Sequence, residues 1–262
     1  MHSTALVLPR RECKPRACGT TMMIDTGLPT RQFADVVASF APLIDVVKFG
    51  WGTALVTDDI KYKIDALREH DVDYYFGGTL FEIFAAQDAV DDWRRYVDAF
   101  GCRTVEISNG TIPMSNTAKA EYVARFTPEL RVYSEVGFKD PTQSEHLSPQ
   151  QWVDYICEDL EAGAYKVITE ARESGRSGIC RADGTLRTDL IRKIARSGID
   201  MTDLVFEAPT KDLQVAMIRE FGANVNLGNV AVADIVGLET LRTGLRGDTL
   251  LDFTTPLAVA HA

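Results

Sequence analysis

Short apolar runs alternate along this chain with longer stretches in which apolar residues recur every three or four positions. The runs are Thr21–Ile24, Val46–Phe49, Tyr74–Phe76, Thr104–Ile107, Leu130–Val136, Lys166–Thr169, Leu204–Phe206 and Asn224–Leu227. Several are β-branched or apolar on successive positions, which predicts strands buried on both faces. Helical spacing fills the intervals at Arg31–Phe40, Ile60–His70, Val90–Phe100, Ala118–Phe126, Pro149–Ala162, Thr188–Ser197, Lys211–Phe221 and Ala233–Arg242. Ser148 before Pro149, and Thr188-Asp189 before Leu190, are helix-start signals. Pro128 and the stretch PTQSEHLSP (Pro141 to Pro149) predict loops.

Polar residues recur where the apolar runs end: Asp25, Lys48, Glu106, Glu135, Glu170 with Arg172, Glu207, and Asn226 with Asn229. The third run alone ends in glycines, Gly77 and Gly78. One charged strand end is ordinarily a solvated edge group. Seven of them in a regular βα alternation predict the rim of a parallel (β/α)8 TIM barrel, because the loops after the strands all open on one face. A doubly wound open sheet is the rival architecture. Eight units and the lack of an early GxGxxG favour the barrel.

Length fits that reading. At 262 residues the chain has the usual size of one barrel domain spanning 1–262, with an N-terminal extension over 1–18 and a C-terminal tail over 250–262. No uncharged apolar stretch approaches the roughly 20 residues of a membrane span. The first residues carry their basic groups after the apolar run, the wrong order for a secretory signal, so a cytoplasmic location is expected. Five cysteines without CxxC spacing disfavour a disulfide framework or a cysteine-rich zinc site. A net charge of −10 argues against nucleic acid or an anionic membrane as partner. His2, His70, His146 and His261 fit no site, which weighs against a His-rich metal centre or a Ser-His-Asp hydrolase.

An anionic substrate would need locally concentrated donors. Barrels often bind phosphate with the loops after strands seven and eight, here APTK (Ala208 to Lys211) and NLGN (Asn226 to Asn229). Asn226, Gly228 and Asn229 are therefore candidate phosphate contacts, although a tight turn also calls for glycine. EARESGRSG (Glu170 to Gly178) supplies a second group of donors in Arg172, Ser174, Gly175 and Arg176. Arg16 can reach the rim, or, since it precedes the first strand, belong to the opposite face or a subunit contact. Lys48 ends an otherwise apolar strand, where an unpaired ammonium is costly, so it should pair with a rim carboxylate, a ligand anion, or both. Trp51 can shape the pocket mouth, with aromatic packing as the plainer role.

The segments KPR (Lys14 to Arg16), DTGLP (Asp25 to Pro29), VVKFGWGT (Val46 to Thr53), GGTLFE (Gly77 to Glu82), VEISNGTI (Val105 to Ile112), SEVGFKD (Ser134 to Asp140), EARESGRSGI (Glu170 to Ile179), FEAPTKDLQ (Phe206 to Gln214), NVNLGNV (Asn224 to Val230) and LETLRTGLRGDT (Leu238 to Thr249) resemble the phosphosulfolactate synthase family. Their number and order carry the resemblance from Lys14 to Thr249. It implies a TIM barrel that adds sulfite to C3 of phosphoenolpyruvate, giving (2R)-phospho-3-sulfolactate, with magnesium as cofactor. It also implies a homo-oligomer, and in the family this step opens one route to coenzyme M. Attack at C3 puts negative charge at C2 beside a carboxylate, so the chemistry calls for a metal or cationic clamp and a positioned acid.

Magnesium prefers oxygen ligands, usually with one or two carboxylates. Glu106, Glu135, Glu170, Glu207 and Asp25 are the candidate ligands, with Glu135 and Glu170 ahead and a helix-capping role open to Asp25. The resemblance points to Lys139 as the acid that protonates C2, and to exchange protons efficiently its pKa should be depressed. Two departures stand out. The family loop often reads EVGKK, whereas Phe138 precedes Lys139 here, and Asn109 stands where aspartate is common. The loss of one of two adjacent cations leaves open a related barrel enzyme that adds another nucleophile to a phosphorylated enol. A non-catalytic barrel with a regulatory or scaffold role is the third reading, against which Lys48, Lys139, Arg172 and the acidic rim all weigh.

Overall fold

The computed structural model describes residues 6–253. Residues 1–5 of the extension, most of the tail expected over 250–262, and His2 and His261 lie outside the described residues. Eight strands form one parallel sheet: β1 (Thr21–Asp25), β2 (Val46–Phe49), β3 (Asp73–Phe76), β4 (Thr104–Ile107), β5 (Arg131–Val136), β6 (Lys166–Thr169), β7 (Leu204–Glu207) and β8 (Leu227–Ala231). Their hydrogen-bonded order is β3-β2-β1-β8-β7-β6-β5-β4. β3 and β4 lie side by side, and the Thr104 hydroxyl donates across that seam to the Asp73 carboxylate at 2.6 Å. The result is a nearly closed (β/α)8 TIM barrel.

The helices are α1 (Thr30–Phe40), α2 (Ile60–Glu69), α3 (Gly78–Ala86), α4 (Val90–Ala99), α5 (Asn116–Phe126), α6 (Pro141–His146), α7 (Pro149–Glu161), α8 (Thr188–Ala195), α9 (Lys211–Phe221), α10 (Ile235–Arg242) and α11 (Leu250–Phe253). Ser148 starts α7 as expected, its hydroxyl accepting from Gln151 N–H while the Gln151 side chain accepts from Ser148 N–H. Two helices had no sequence expectation within the barrel. α3 is apolar on nearly every side, and α6 is a short turn, capped by Asp140, inside a stretch that reads as loop. No helix among the described residues is long and apolar enough to cross a membrane.

Period two sorts every strand into an outward and an inward face. Outward residues such as Val47, Phe76, Val105, Val132 and Phe206 join the large core beneath the helices. Met22, Val46, Tyr75, Tyr133, Ile168 and Val205 form a separate apolar layer inside the barrel. Two residues further along the same strands, on the same face, stand Lys48, Glu135, Glu170 and Glu207. The polar rim is thus one pleat above an apolar plug.

β8 departs from the sequence expectation. It runs Leu227–Ala231 rather than Asn224–Leu227, because Asn224 and Val225 are tied down below the barrel. Within it, Thr21 pairs with Leu227 but Met23 with Val230, so two residues of β1 face three of β8. Asn229 is the bulge residue, with φ +51°.

That shift moves Asn226 to the N-terminal end of the barrel, away from the rim where it was expected. Its carbonyl oxygen accepts from Thr20 N–H and Oγ1, both at 3.0 Å, and its amide donates to Thr202 O and Leu204 O at 3.0 and 2.9 Å. Arg16 is at the same far end: it pairs with both Asp45 oxygens at 3.1 Å and donates to Pro42 O and Glu12 O. Asp45 immediately precedes β2, so Arg16 pins the extension under the barrel rather than reaching the rim.

Candidate active site

At the C-terminal end of the strands two lysines meet five carboxyl groups. Lys48 Nζ lies 3.0 Å from Glu106, 3.2 Å from Glu207 and 3.5 Å from Glu135. Lys139, on the loop after β5, places Nζ 3.3 Å from Glu135 and 3.8 Å from both Glu82 and Glu170, and it donates to Thr79 Oγ1 at 3.1 Å. Lys48, Lys139, Glu135, Glu170 and Glu207 line a narrow cleft together with Trp51, Gly77, Gly78, Arg172, Glu173 and Asn229, with Glu106 and Glu82 packed behind them.

Backbone N–H groups fix four of the five acids, and the two lysines fix Glu135. Gly78 N–H, at the start of α3, donates to Glu106 at 2.6 Å. A Cβ at Gly78 would fall 2.4 Å from Ser108 Oγ and 2.8 Å from the Glu106 carboxylate, so only glycine lets that N–H approach. Glu207 accepts from Ala171 N–H at 3.0 Å, and Glu170 from Arg172 N–H at 2.5 Å. Gly178, at φ +66°, lies so close under Glu170 that a Cβ would overlap its carbonyl oxygen at 1.7 Å. Strain gathers here too. Of the five non-glycine residues with positive φ among those described, Trp51, Arg172 and Asn229 line the cleft.

Burial tends to strip the charge from every one of these groups, and their mutual fields decide the outcome. Burial presses the Lys48 ammonium to lose its proton, but Glu106, Glu207 and Glu135 overcome it and raise the pKa well above the ordinary value. Lys139 is likewise raised, burial being outweighed by Glu135, Glu170 and Glu82. That corrects the expectation of a depressed lysine: Lys139 is held as an ammonium. For Glu135 burial pulls upward, yet Lys139 and Lys48 win and hold it low, at about 2. Glu170 goes the other way, pushed well up by burial and then by Glu135 and Glu207. Glu106 is raised as well, burial outweighing Lys48.

Carboxyl groups therefore outnumber ammonium groups five to two, and one of them, Glu170, is driven to keep a proton. Oxygens of Glu135, Glu170 and Glu207 lie within 4.8 Å of one another, all buried. One Glu170 oxygen has no hydrogen-bond partner, its nearest cation being Lys139 at 3.8 Å, and the buried Asn229 Oδ1 has none either. Hard oxygen donors and surplus negative charge fit a divalent cation such as magnesium. The other two expected ligands are engaged elsewhere. Glu106 is divided between Gly78 N–H and Lys48, and Asp25 between Lys63 at 2.6 Å and the N–H groups of Gly27 and Leu28.

Arg172 stands half-exposed at the mouth, donating to Lys139 O at 3.3 Å. Ser174 and Gly175 do not line the cleft; Gly175 N–H closes the turn onto Arg172 O at 3.0 Å. Gly228 is buried within β8, where a Cβ would sit 3.1 Å from Val205 and 3.4 Å from Met22. It serves close packing inside the barrel. Phe138 packs on the outer core rather than into the cleft. Asn109 donates its amide to Met114 O at 2.8 Å, a bond an aspartate could not make. Glu82 and Thr79 were not expected at the site. Their sequence signals are the segment GGTLFE (Gly77 to Glu82), which carries part of the resemblance, and one carboxylate in the otherwise apolar helix α3.

Comparison with known proteins places the chain in a family. The model of the (2R)-phospho-3-sulfolactate synthase (ComA) family matches residues 9–248. The phosphosulfolactate synthase of Bacillus subtilis (strain 168) is 50% identical over 249 residues, covering 95% of this chain and 99% of the relative. That of Methanothermobacter thermautotrophicus is 39% identical over 254 residues, covering 95% and 98%. Among solved structures, a 3-hexulose-6-phosphate synthase superposes with TM-score 0.53 at 12% identity, over 85% of this chain and 98% of the other, which speaks for the barrel alone. With the match running through every strand that carries the cleft, the chain belongs to the (2R)-phospho-3-sulfolactate synthase family of enzymes.

Proposed function

We propose that this enzyme catalyses the magnesium-dependent addition of sulfite to C3 of phosphoenolpyruvate, giving (2R)-phospho-3-sulfolactate. The observation that carries the reading is the buried Glu135–Glu170–Glu207 cluster with the Lys139 ammonium 3.3 Å from Glu135. A divalent ion held by those three glutamates would supply positive charge to the substrate carboxylate as it becomes an aci-carboxylate dianion.

The chain's own groups do the rest. The sulfur lone pair forms the C3–S bond while the C2–C3 π electrons move toward C2 and the carboxylate. Lys139 delivers its proton to C2, and its partly exposed side chain recovers one from solvent. Because carboxylates hold that proton, Lys139 becomes a competent donor when the charge on Glu135 is neutralised. Lys48 is too enclosed by Glu106, Glu135 and Glu207 to exchange protons; it keeps three acids from repelling one another. Arg172 offers a guanidinium fork to an incoming oxyanion at the mouth, and Asn229 an amide to a substrate oxygen.

The test follows the enol absorbance of phosphoenolpyruvate with purified enzyme, with and without sulfite and magnesium, and identifies the product by mass spectrometry. Absorbance should fall only when both are present, and chelation should stop it. No sulfite-dependent consumption in the presence of magnesium would end this reading.

A further inference from the structure

Behind β5, on the side of the barrel wall away from the cleft, Lys119 of α5 and Asp159 of α7 form an ion pair at 2.7 Å with both side chains wholly buried. Lys119 Nζ also donates to the backbone carbonyl of Glu135 at 2.7 Å. Asp159 accepts from Ser134 Oγ at 2.6 Å and from Asn116 Nδ2 at 3.3 Å. Its hold on the strand thus falls on two consecutive residues, the second of which turns its carboxylate into the cleft.

A buried ion pair is a poor device for stability, since an apolar pair of similar volume commonly does as well or better once desolvation is counted. What an apolar pair cannot do is fix a carbonyl and a hydroxyl at chosen points along a strand. In metal sites, groups that orient the ligands control affinity although they never touch the ion. We propose that Lys119 and Asp159 are positioning residues that set the Glu135 carboxylate for the divalent cation. This rests on the assignment of Glu135, Glu170 and Glu207 to a metal, and extends the machinery to the helices outside the barrel.

The test is Mn²⁺ binding, read by electron paramagnetic resonance and so independent of turnover, in the wild type, Lys119→Met/Asp159→Leu and Ser134→Ala. The double variant should fold and melt near the wild-type temperature while binding Mn²⁺ roughly 10- to 100-fold more weakly. Ser134→Ala, which unties the pair from β5 at one point, should weaken binding by a smaller factor at a modest cost in melting temperature. Wild-type affinity in a folded double variant overturns the proposal; if that variant does not fold, wild-type affinity in Ser134→Ala overturns it. A wild-type enzyme that fails to bind Mn²⁺ removes both the metal assignment and this inference. One that binds Mn²⁺ but leaves sulfite and phosphoenolpyruvate unreacted removes only the proposed reaction.

Discussion

The two ends of this barrel are both rich in buried charge, yet they are built on opposite terms. At the N-terminal end Arg11 and Arg16 each pair with one carboxylate, Glu239 and Asp45, and the other buried cations meet backbone carbonyls. Lys14 Nζ donates to Ala41 O, Ile44 O and Asp71 O, Lys166 Nζ to Ala17 O and Thr202 O, and Arg242 to Ala223 O, Val225 O and Thr20 O. These acceptors are dipoles that can neither titrate nor leave. At the C-terminal end Lys48 and Lys139 meet carboxylates, which outnumber them and which push one another's proton affinities apart. The first end carries no excess of carboxylates, although burial still lowers the pKa of Lys14, Lys166 and Arg242 and leaves Arg242 Nε without a partner. The second is left with surplus charge that a cation and a substrate would settle. Burial of charge does not by itself identify a site; what matters is whether fixed dipoles or exchangeable groups answer it.

The contrast breaks first at Lys139. Lys139→Ala should lower turnover roughly a thousand-fold, the scale of a lost general acid, with little change in substrate affinity or melting temperature. Steady-state kinetics beside thermal unfolding would check it. Full activity in that variant, with magnesium and sulfite present, would take the acid role away from Lys139.

Much of this was legible from period and pattern. Seven of the eight strands begin and end within a residue or two of the apolar runs, and Lys48, Glu106, Glu135, Glu170 and Glu207 meet because period two carries each to the same face as the layer below. What escaped was the part set by irregular backbone. Asn229 was placed in a turn, whereas it is a bulge inside β8, and the resulting shift sent Asn226 to the far end. Arg16 and Lys14, within a segment that carries the family resemblance, serve the barrel floor. Glu82 stands in the resemblance segment GGTLFE, but its place at the site was hidden because the rest of α3 is almost wholly apolar and offers no amphipathic face to read. Which of five rim acids were free for a metal depended on hydrogen bonds from Gly78 and Lys63 that no spacing announces.

A smaller effect, on stability alone, should come from the N-terminal end. Arg242→Met fills much of the same volume but takes the arginine's donors from Val225 O, and from Ala223 O and Thr20 O, which keep Arg11 and Leu227 N–H respectively. We expect a loss of about 3 kcal/mol, from the cost of buried acceptors that lose a charged donor. For a chain of this size that lowers the melting temperature by roughly 6–12 °C. The turnover of the folded fraction should be unchanged. A turnover defect larger than the stability defect would mean that the floor of the barrel participates in the site.

The smallest effect should come from the position that looked most consequential in the sequence. Phe138 stands where the family often has a second lysine, immediately before Lys139, and a missing cation there suggested a different nucleophile. The side chain, however, packs on the outer core, while its carbonyl accepts from Ser177 Oγ at 2.7 Å and holds the loop regardless of what the side chain is. A lysine at 138 would lay its methylene stem over the same apolar surface and send its ammonium to solvent rather than into the cleft. Phe138→Lys should therefore leave kcat and the KM for sulfite within about twofold, the range of a substitution away from the site, at a modest cost in stability. The measurement is a sulfite titration at saturating phosphoenolpyruvate, accompanied by a panel of other nucleophiles read by mass spectrometry. If Phe138→Lys sharpened sulfite affinity tenfold, or switched the preferred nucleophile, the cationic side of the rim would extend beyond Lys48, Lys139 and Arg172, and the loop after β5 would have to turn inward when substrates bind.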